Sequence, residues 1–151
     1  MEIQNQVTIE APVPVVYRVL TDPDYLQKTM PGLKSLTPTE AGHYQAVLEI
    51  GVAAVRGRYQ GTMGIVDQDP PHAYRLVMEG KGPGTFVKLS MGVNLREVEG
   101  DHTHVDYKGD AQVGGTLAGV GQRMLSGVAG MILGQFFQAV GREAMRLNAA
   151  S

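Results

Sequence analysis

Residues 85–113, TFVKLSMGVNLREVEGDHTHVDYKGDAQV, contain the pattern that decides the fold. Apolar residues occupy every second position in two successive runs, and polar or charged residues fill the positions between them. The apolar positions are Val87, Leu89, Met91, Val93 and Leu95, then Thr103, Val105, Tyr107, Ala111 and Val113. A period of two is typical of strands with one buried face. The turn-like residues Glu99 to Asp101 separate the runs, so the stretch predicts an antiparallel hairpin.

The same alternation extends towards the N-terminus. From Leu33 to Val113 the pattern predicts strands separated by short turns, which leave no room for crossover helices and exclude a parallel sheet. Residues Glu2 to Glu10 alternate in the same way and predict a further strand. Two short helices are expected between them, over Val13 to Leu20 and Asp24 to Met30.

After Gly114-Gly115 the pattern changes to a helical one. Thr116 is a suitable N-cap, and no proline interrupts the apolar spacing from Leu117 to Leu147. A helix of this length can cover the apolar face of a curved sheet. The order predicts an α+β fold in which about seven antiparallel strands and two short helices are closed by one long C-terminal helix on the concave face.

Composition restricts the class of protein. The chain has 151 residues, 43% of them apolar and 19% charged, as expected for one globular domain over residues 1–151. Its 13 basic and 15 acidic residues give no overall positive field, so a nucleic-acid partner is not expected. It contains no cysteine, and residues 1–10 lack the pattern of a signal peptide, so we expect a cytoplasmic protein.

Candidate catalytic and metal-binding groups are few. His102 and His104 share a strand face, but a charged hairpin in solvent explains them better than a metal site. Gly80 to Gly84 resembles a phosphate loop only superficially, because a strand follows it, and a wide hairpin turn is the better interpretation. We therefore predict no catalytic constellation, no bound metal and no cofactor.

A cavity between sheet and helix is the remaining candidate site. Strand alternation directs several large residues inward, and Met124 and Met131 lie seven residues apart on one side of the helix. Arg123 either pairs with a polar group of a ligand or of the sheet, or lies exposed on the solvent side. The predicted lining residues are Tyr59, Met63, Met78, Met91, Tyr107, Arg123, Met124 and Met131. The alternative from composition alone is that they fill a solid core.

The terminal helix is unusually apolar on all sides. Met124 to Gly141 contains no charged residue, and Gly127, Gly130 and Gly134 provide the small-residue spacing that allows close approach of another backbone or of a flat ligand. We expect this face to meet something besides solvent. A transmembrane span is not expected, because the same helix is needed to close the core.

Several short motifs, in this order and spacing, resemble one family along essentially the whole chain. They are Met30-Pro31-Gly32, Gly57-Arg58-Tyr59-Gln60-Gly61, Asp69-Pro70-Pro71, Gly80-Lys81-Gly82, Val113-Gly114-Gly115, Gly121-Gln122-Arg123 and Gln135-Phe136-Phe137. The sequence resembles the CoxG family, named for a subunit of carbon monoxide dehydrogenase, within the START-like (SRPBCC, pollen-allergen-like) helix-grip superfamily.

The resemblance implies a non-catalytic accessory protein that binds a lipid or quinone-like molecule. It also implies a molybdenum-containing carbon monoxide dehydrogenase or related hydroxylase as partner, and a peripheral position at the inner face of the membrane. Two alternatives stay open. One is a cyclase or dehydratase of the same superfamily, and the other is a structural protein that dimerises through the C-terminal helix.

Overall fold

Seven antiparallel strands form a single curved sheet in the computed structural model, which describes residues 1–52 and 55–150. The strands are β1 Glu2–Ile9, β2 Leu33–Glu40, β3 His43–Ile50, β4 Gly57–Asp69, β5 Ala73–Gly82, β6 Thr85–Val98 and β7 His102–Gly115. Their order in the sheet is β1-β7-β6-β5-β4-β3-β2, and every neighbouring pair is antiparallel. The predicted sheet is confirmed.

Three α-helices accompany the sheet within the described ranges 1–52 and 55–150. They are α1 Val13–Thr21, α2 Pro23–Thr29 and α3 Gln122–Ala150. The side chain of Asp22 accepts a hydrogen bond from the backbone N–H of Asp24 at 2.8 Å, which caps α2 one residue earlier than the sequence suggests. The two short helices between β1 and β2 and the long helix after β7 are as expected.

The start of α3 differs from the prediction. Thr116–Gly119 forms a separate 3-10 turn, and α3 begins only at Gln122. Gly121 has a φ of +101°, a left-handed conformation that glycine adopts readily and that interrupts helical hydrogen bonding. The prediction of a continuous helix from Leu117 was therefore wrong for its first turn.

Glycines on the inner side of the sheet permit its curvature. A Cβ atom at Gly61 would collide with the carbonyl oxygen of Glu79, and one at Gly109 would collide with that of Ser90. Gly61 and Glu79 lie on adjacent strands, and so do Gly109 and Ser90. At both places the two strands are closer than a side chain at the glycine would allow. The sheet can then wrap around α3.

The packed core occupies one end of the space between sheet and helices. The backbone of α3 approaches α1, α2 and β1 closely. The rings of Tyr107 and Phe137 stack with centroids 4.6 Å apart, and Phe136 meets Phe137 edge-on at 5.0 Å. Val140 and Ala144 are fully buried on the same side of α3. Closely packed aromatic side chains therefore occupy this end.

Candidate functional site: an apolar cavity between sheet and helix

The space beneath the N-terminal half of α3 is not filled. A cavity of about 260 Å³, partly open to solvent, lies between this half of the helix and strands β3 to β7. Ligand pockets generally occupy roughly 300–1,000 Å³, so this cavity is slightly smaller than the lower end of that range. The helix lines it with Leu125, Val128, Ala129, Ile132, Leu133 and Phe136.

The cavity borders the aromatic residues of α3. Phe136 and Phe137 fill the space beside it, whereas the residues that line it further towards the N-terminus are aliphatic, and Val128 and Ala129 are the smallest of them. On the facing sheet, the same end carries small residues, which are Gly61, Gly80, Val87, Ala111 and Val113. Neither surface has enough volume to reach the other.

Three of the predicted lining residues lie in the cavity wall. Tyr59 and Met78 are half-buried, and Met91 is fully buried beneath them. The Tyr59 hydroxyl donates a hydrogen bond to the carbonyl oxygen of Val55 at 2.8 Å, which holds the connection between β3 and β4 against the cavity. Their contact with a ligand stays a prediction.

Two predicted lining residues belong to the packed core instead. Met63 is 1% exposed and Tyr107 6% exposed, and neither borders the cavity. They point inward as the alternation predicted, but they lie at the end of the sheet that the aromatic residues of α3 fill. Burial raises the pKa of Tyr107, partly offset by a hydrogen bond with the Asn5 side chain, so its hydroxyl stays protonated at neutral pH.

The predictions for Met124 and Met131 were wrong. Their side chains are 54% and 43% exposed on the outer face of α3. Leu125 and Ile132, the next residues along the chain, face the cavity in their place. Arg123 is also exposed and lies outside the cavity wall, as its solvent-side alternative predicted.

Two other predicted features are a turn, whose first residue Gly80 borders the cavity, and a histidine pair. Gly80 to Gly84 is a hairpin turn, but a tighter one than expected, because the β5–β6 ladder continues to the pair Gly82 and Thr85. The Nε2 atom of His104 lies 3.0 Å from Oε1 of Gln6 and 3.1 Å from Oδ1 of Asp106. The absence of a metal there stays a prediction.

The outer face of α3 remains uncovered. Among residues 1–52 and 55–150, α3 is the one helix long and apolar enough to cross a membrane by length and composition alone, and 22% of its most apolar window is buried. The same properties occur in core helices of soluble proteins. A Cβ atom at Gly127, Gly130 or Gly134 would meet nothing within 4 Å.

A curved antiparallel sheet closed around one long helix, with an apolar cavity between them, defines the helix-grip class of START-like proteins. Solved structures agree. A START superfamily protein from Mycobacterium smegmatis is 15% identical, with a TM-score of 0.70 over 97% of this chain and 98% of that one. The ZhuI aromatase/cyclase from Streptomyces sp. R1128 is 19% identical, with a TM-score of 0.70 over 97% and 94%.

Within this class the chain belongs to the CoxG family of carbon monoxide dehydrogenase subunits, whose sequence model matches residues 6–145. A conserved protein from Geobacillus kaustophilus is 34% identical, with a TM-score of 0.94 over 97% of this chain and 96% of that one. None of the curated proteins matches the chain.

Proposed function

We propose that this protein is a non-catalytic accessory protein that takes up an apolar small molecule in the cavity between sheet and α3. The ligand is lipid-like or quinone-like, and residues 1–151 act as one domain. We further propose that it works in the cytoplasm, at the inner face of the membrane, beside a carbon monoxide dehydrogenase or related molybdenum hydroxylase; the match to the CoxG family supports the dehydrogenase as partner. The observation that carries the proposal is the unfilled apolar cavity beneath the N-terminal half of α3.

The chemistry of the wall selects for a neutral, apolar ligand. The helix side is entirely aliphatic or aromatic, and the sheet side adds Met78, Leu89 and Met91. Placing a charge among such residues without a partner is strongly unfavourable. The part of the ligand that enters is therefore hydrocarbon or a neutral ring, and any polar end stays at the open side.

Catalysis of the cyclase type is less well supported. Such a reaction needs a general acid or base within hydrogen-bond reach of the substrate. The hydroxyl of Tyr59, on the wall, already donates to Val55, and Tyr107 is stacked on Phe137 outside the cavity. The likeness to the aromatase/cyclase, at 19% identity, concerns the fold alone.

A matched pair of tryptophan substitutions tests ligand binding. Met91 and Met63 are both buried, but only Met91 borders the cavity. Met91→Trp should fill part of the cavity and weaken binding of a fluorescent fatty acid or quinone analogue by at least tenfold. Met63→Trp should leave the affinity of its folded fraction unchanged, although overpacking there costs roughly 1–3 kcal/mol of stability.

The outcomes separate binding from a solid core. The wild-type chain contains no tryptophan, so the introduced indole also reports directly whether the probe lies beside it. No probe binding by the wild type, together with a marked loss of stability in both variants, would indicate a filled core and contradict the proposal.

A further inference from the structure

One buried hydroxyl near the cavity has no hydrogen-bond partner in the part of the chain that the structure describes. It belongs to Thr85, the first residue of β6, whose Oγ1 atom is shielded from solvent although the residue as a whole is only partly buried. Within residues 1–52 and 55–150 it is the one buried side-chain nitrogen or oxygen atom left unpaired. Native proteins pair nearly all such atoms, so this one requires an explanation.

This hydroxyl lies on the same face of the sheet as the cavity wall. Thr85 precedes Val87 and Leu89 in the alternation of β6, and both of these residues line the cavity. Its Oγ1 atom lies 2.9 Å from the position that a Cβ atom on Gly82 would occupy. The Cε2 atom of Tyr59, a residue of the wall, lies 3.3 Å from the same position. The hydroxyl is therefore beside the Tyr59 ring, at the edge of the wall.

Glycines leave room between the cavity and this hydroxyl. In the sheet, Thr85 pairs with Gly82 on β5 and with Gly115 on β7, so no side chain lies directly beside it on either neighbouring strand. A Cβ atom on Gly80, which borders the cavity, would have the Cβ atom of Tyr59, at 3.9 Å, as its one neighbour within 4 Å. The free space at Gly80 therefore extends the cavity towards Thr85. Contact with Oγ1 then needs a new rotamer of Thr85 or Tyr59, a change that side chains with some exposure make in picoseconds to nanoseconds.

An unpaired hydroxyl at this place favours a ligand with an oxygen acceptor. A buried donor without a partner costs the full desolvation of the group, and a carbonyl, ester or ether oxygen of a ligand would remove that cost. The neighbouring Tyr59 hydroxyl already donates to the carbonyl oxygen of Val55, so Thr85 holds the free O–H group at this edge. A carboxylate would also accept, but an unpaired charge beside an aliphatic wall is strongly unfavourable.

We propose that Thr85 anchors the polar end of the ligand, with its Oγ1–H group donating a hydrogen bond to a carbonyl, ester or ether oxygen. The inference rests on the proposed ligand function and specifies the ligand class, a neutral hydrocarbon with an oxygen acceptor near one end. It also specifies the orientation. The polar end lies beside Gly80 and Tyr59, and the hydrocarbon extends along Leu89 and Met91 beneath α3.

Two threonines on the inner face of the sheet form a matched pair for stability. Thr103 is buried, and its hydroxyl donates to the carbonyl oxygen of Ala11 at 2.7 Å, whereas the Thr85 hydroxyl has no such partner in the described residues. In ligand-free protein, Thr103→Val should lower the urea midpoint, and Thr85→Val should leave it level or raise it, because no hydrogen bond is lost. An equal fall in both variants would show that the Thr85 hydroxyl is already satisfied, by the protein or by a bound water, and would overturn the inference.

Two competitors of equal chain length isolate the hydrogen bond. Tridecane and 2-tridecanone differ in one carbonyl oxygen, and each is titrated against bound diphenylhexatriene, a fluorescent hydrocarbon without polar atoms. Thr85→Val should weaken displacement by the ketone about three- to tenfold, as expected for the loss of one hydrogen bond between neutral groups, and leave displacement by tridecane unchanged. Thr85→Ser keeps the hydroxyl and should restore the affinity for the ketone. Thr103→Val should change neither affinity in its folded fraction.

Infrared spectroscopy of bound 2-tridecanone observes the hydrogen bond itself. Donation to a carbonyl oxygen lowers the C=O stretching frequency, so the wild type and Thr85→Ser should show a lowered band. Thr85→Val should show the frequency of the ketone in hydrocarbon solvent. The same frequency in the wild type and in Thr85→Val would overturn the inference.

The titrations separate failure of the anchor from failure of the proposed function. A wild type that binds diphenylhexatriene and tridecane, with an affinity for the ketone that Thr85→Val does not change, would refute the anchor and leave ligand binding intact. Equal weakening of ketone and tridecane by Thr85→Val would also refute the anchor, because the substitution would then act through the shape of the wall. A wild type that binds neither the dye nor either competitor would refute the proposed ligand function, and the anchor with it.

Discussion

The same substitution at two alanines of α3 should have opposite effects on stability. Ala129 lines the cavity, whereas Ala144 is fully buried in the packed core near the other end of the helix. Apolar cavities of roughly 150 Å³ accommodate a benzene molecule, so the cavity of about 260 Å³ has room for a phenyl ring. Ala129→Phe therefore fills existing space, and Ala144→Phe must displace packed side chains.

The expected magnitudes follow from burial. Burying a phenylalanine side chain contributes about 1.5–3 kcal/mol, from which the lower helix propensity of phenylalanine subtracts roughly 0.5 kcal/mol at both sites. Overpacking at Ala144 costs about 1–3 kcal/mol. The propensity cost is the same at both sites and cancels, so the two variants should differ by about 2.5–6 kcal/mol in unfolding free energy, or roughly 5–25 °C in Tm, at 2–4 °C per kcal/mol for a chain of this size.

The assay is thermal and urea unfolding of delipidated protein, followed by circular dichroism and combined with probe titration. Ala129→Phe should match or exceed the wild-type Tm and lose probe affinity, and Ala144→Phe should melt lower while its folded fraction binds normally. Equal destabilisation by both variants would refute the assignment of an unfilled space beneath α3.

Three further changes have defined outcomes. Burial raises the pKa of the Tyr74 hydroxyl. Above about pH 10 the hydroxyl therefore loses its proton in the unfolded state but keeps it in the folded state, and the free energy of unfolding falls as the pH rises. Tyr74→Phe should reduce this fall in urea titrations from pH 8 to 11.5. The buried Thr103 hydroxyl donates to the carbonyl oxygen of Ala11 at 2.7 Å, and Thr103→Val should lower the unfolding free energy by about 1–3 kcal/mol, measured by urea denaturation. Met78→Ala should change probe affinity because Met78 lines the cavity, whereas Met131→Ala should not, and equal effects in fluorescence titration would contradict the assignment of faces.

The sheet could be predicted from sequence because its signal is local and strong. Each strand from β3 onwards buries alternate residues, so a period of two appears directly in the order of apolar residues. The hairpin turns coincide with glycine, proline and acidic residues, as at Gly80 to Gly84. The long helix was equally visible, since no proline interrupts it.

The inward face of α3 was harder to predict. Apolar residues occur on almost every side of the helix between Met124 and Gly141, so periodicity alone leaves its rotation open. The rotation of α3 about its axis is fixed by its C-terminal half, where Phe136, Val140 and Ala144 are buried. Counting back from them in steps of three and four reaches Ile132, Ala129 and Leu125, which would have placed Met124 and Met131 outside.

Whether the space beneath the helix is empty could not be read from the sequence. It depends on the distance between α3 and the sheet, which the aromatic residues Phe136, Phe137 and Tyr107 fix from one end.

Native mass spectrometry of the purified protein, paired with organic extraction of the same sample, tests the central claim most directly. We predict a population heavier than the bare chain by the mass of one neutral apolar molecule, which the extract contains and which Ala129→Phe loses. Bare protein alone, with an extract free of apolar compounds and no uptake of an added quinone or fatty acid, would contradict the claim that this cavity binds a ligand.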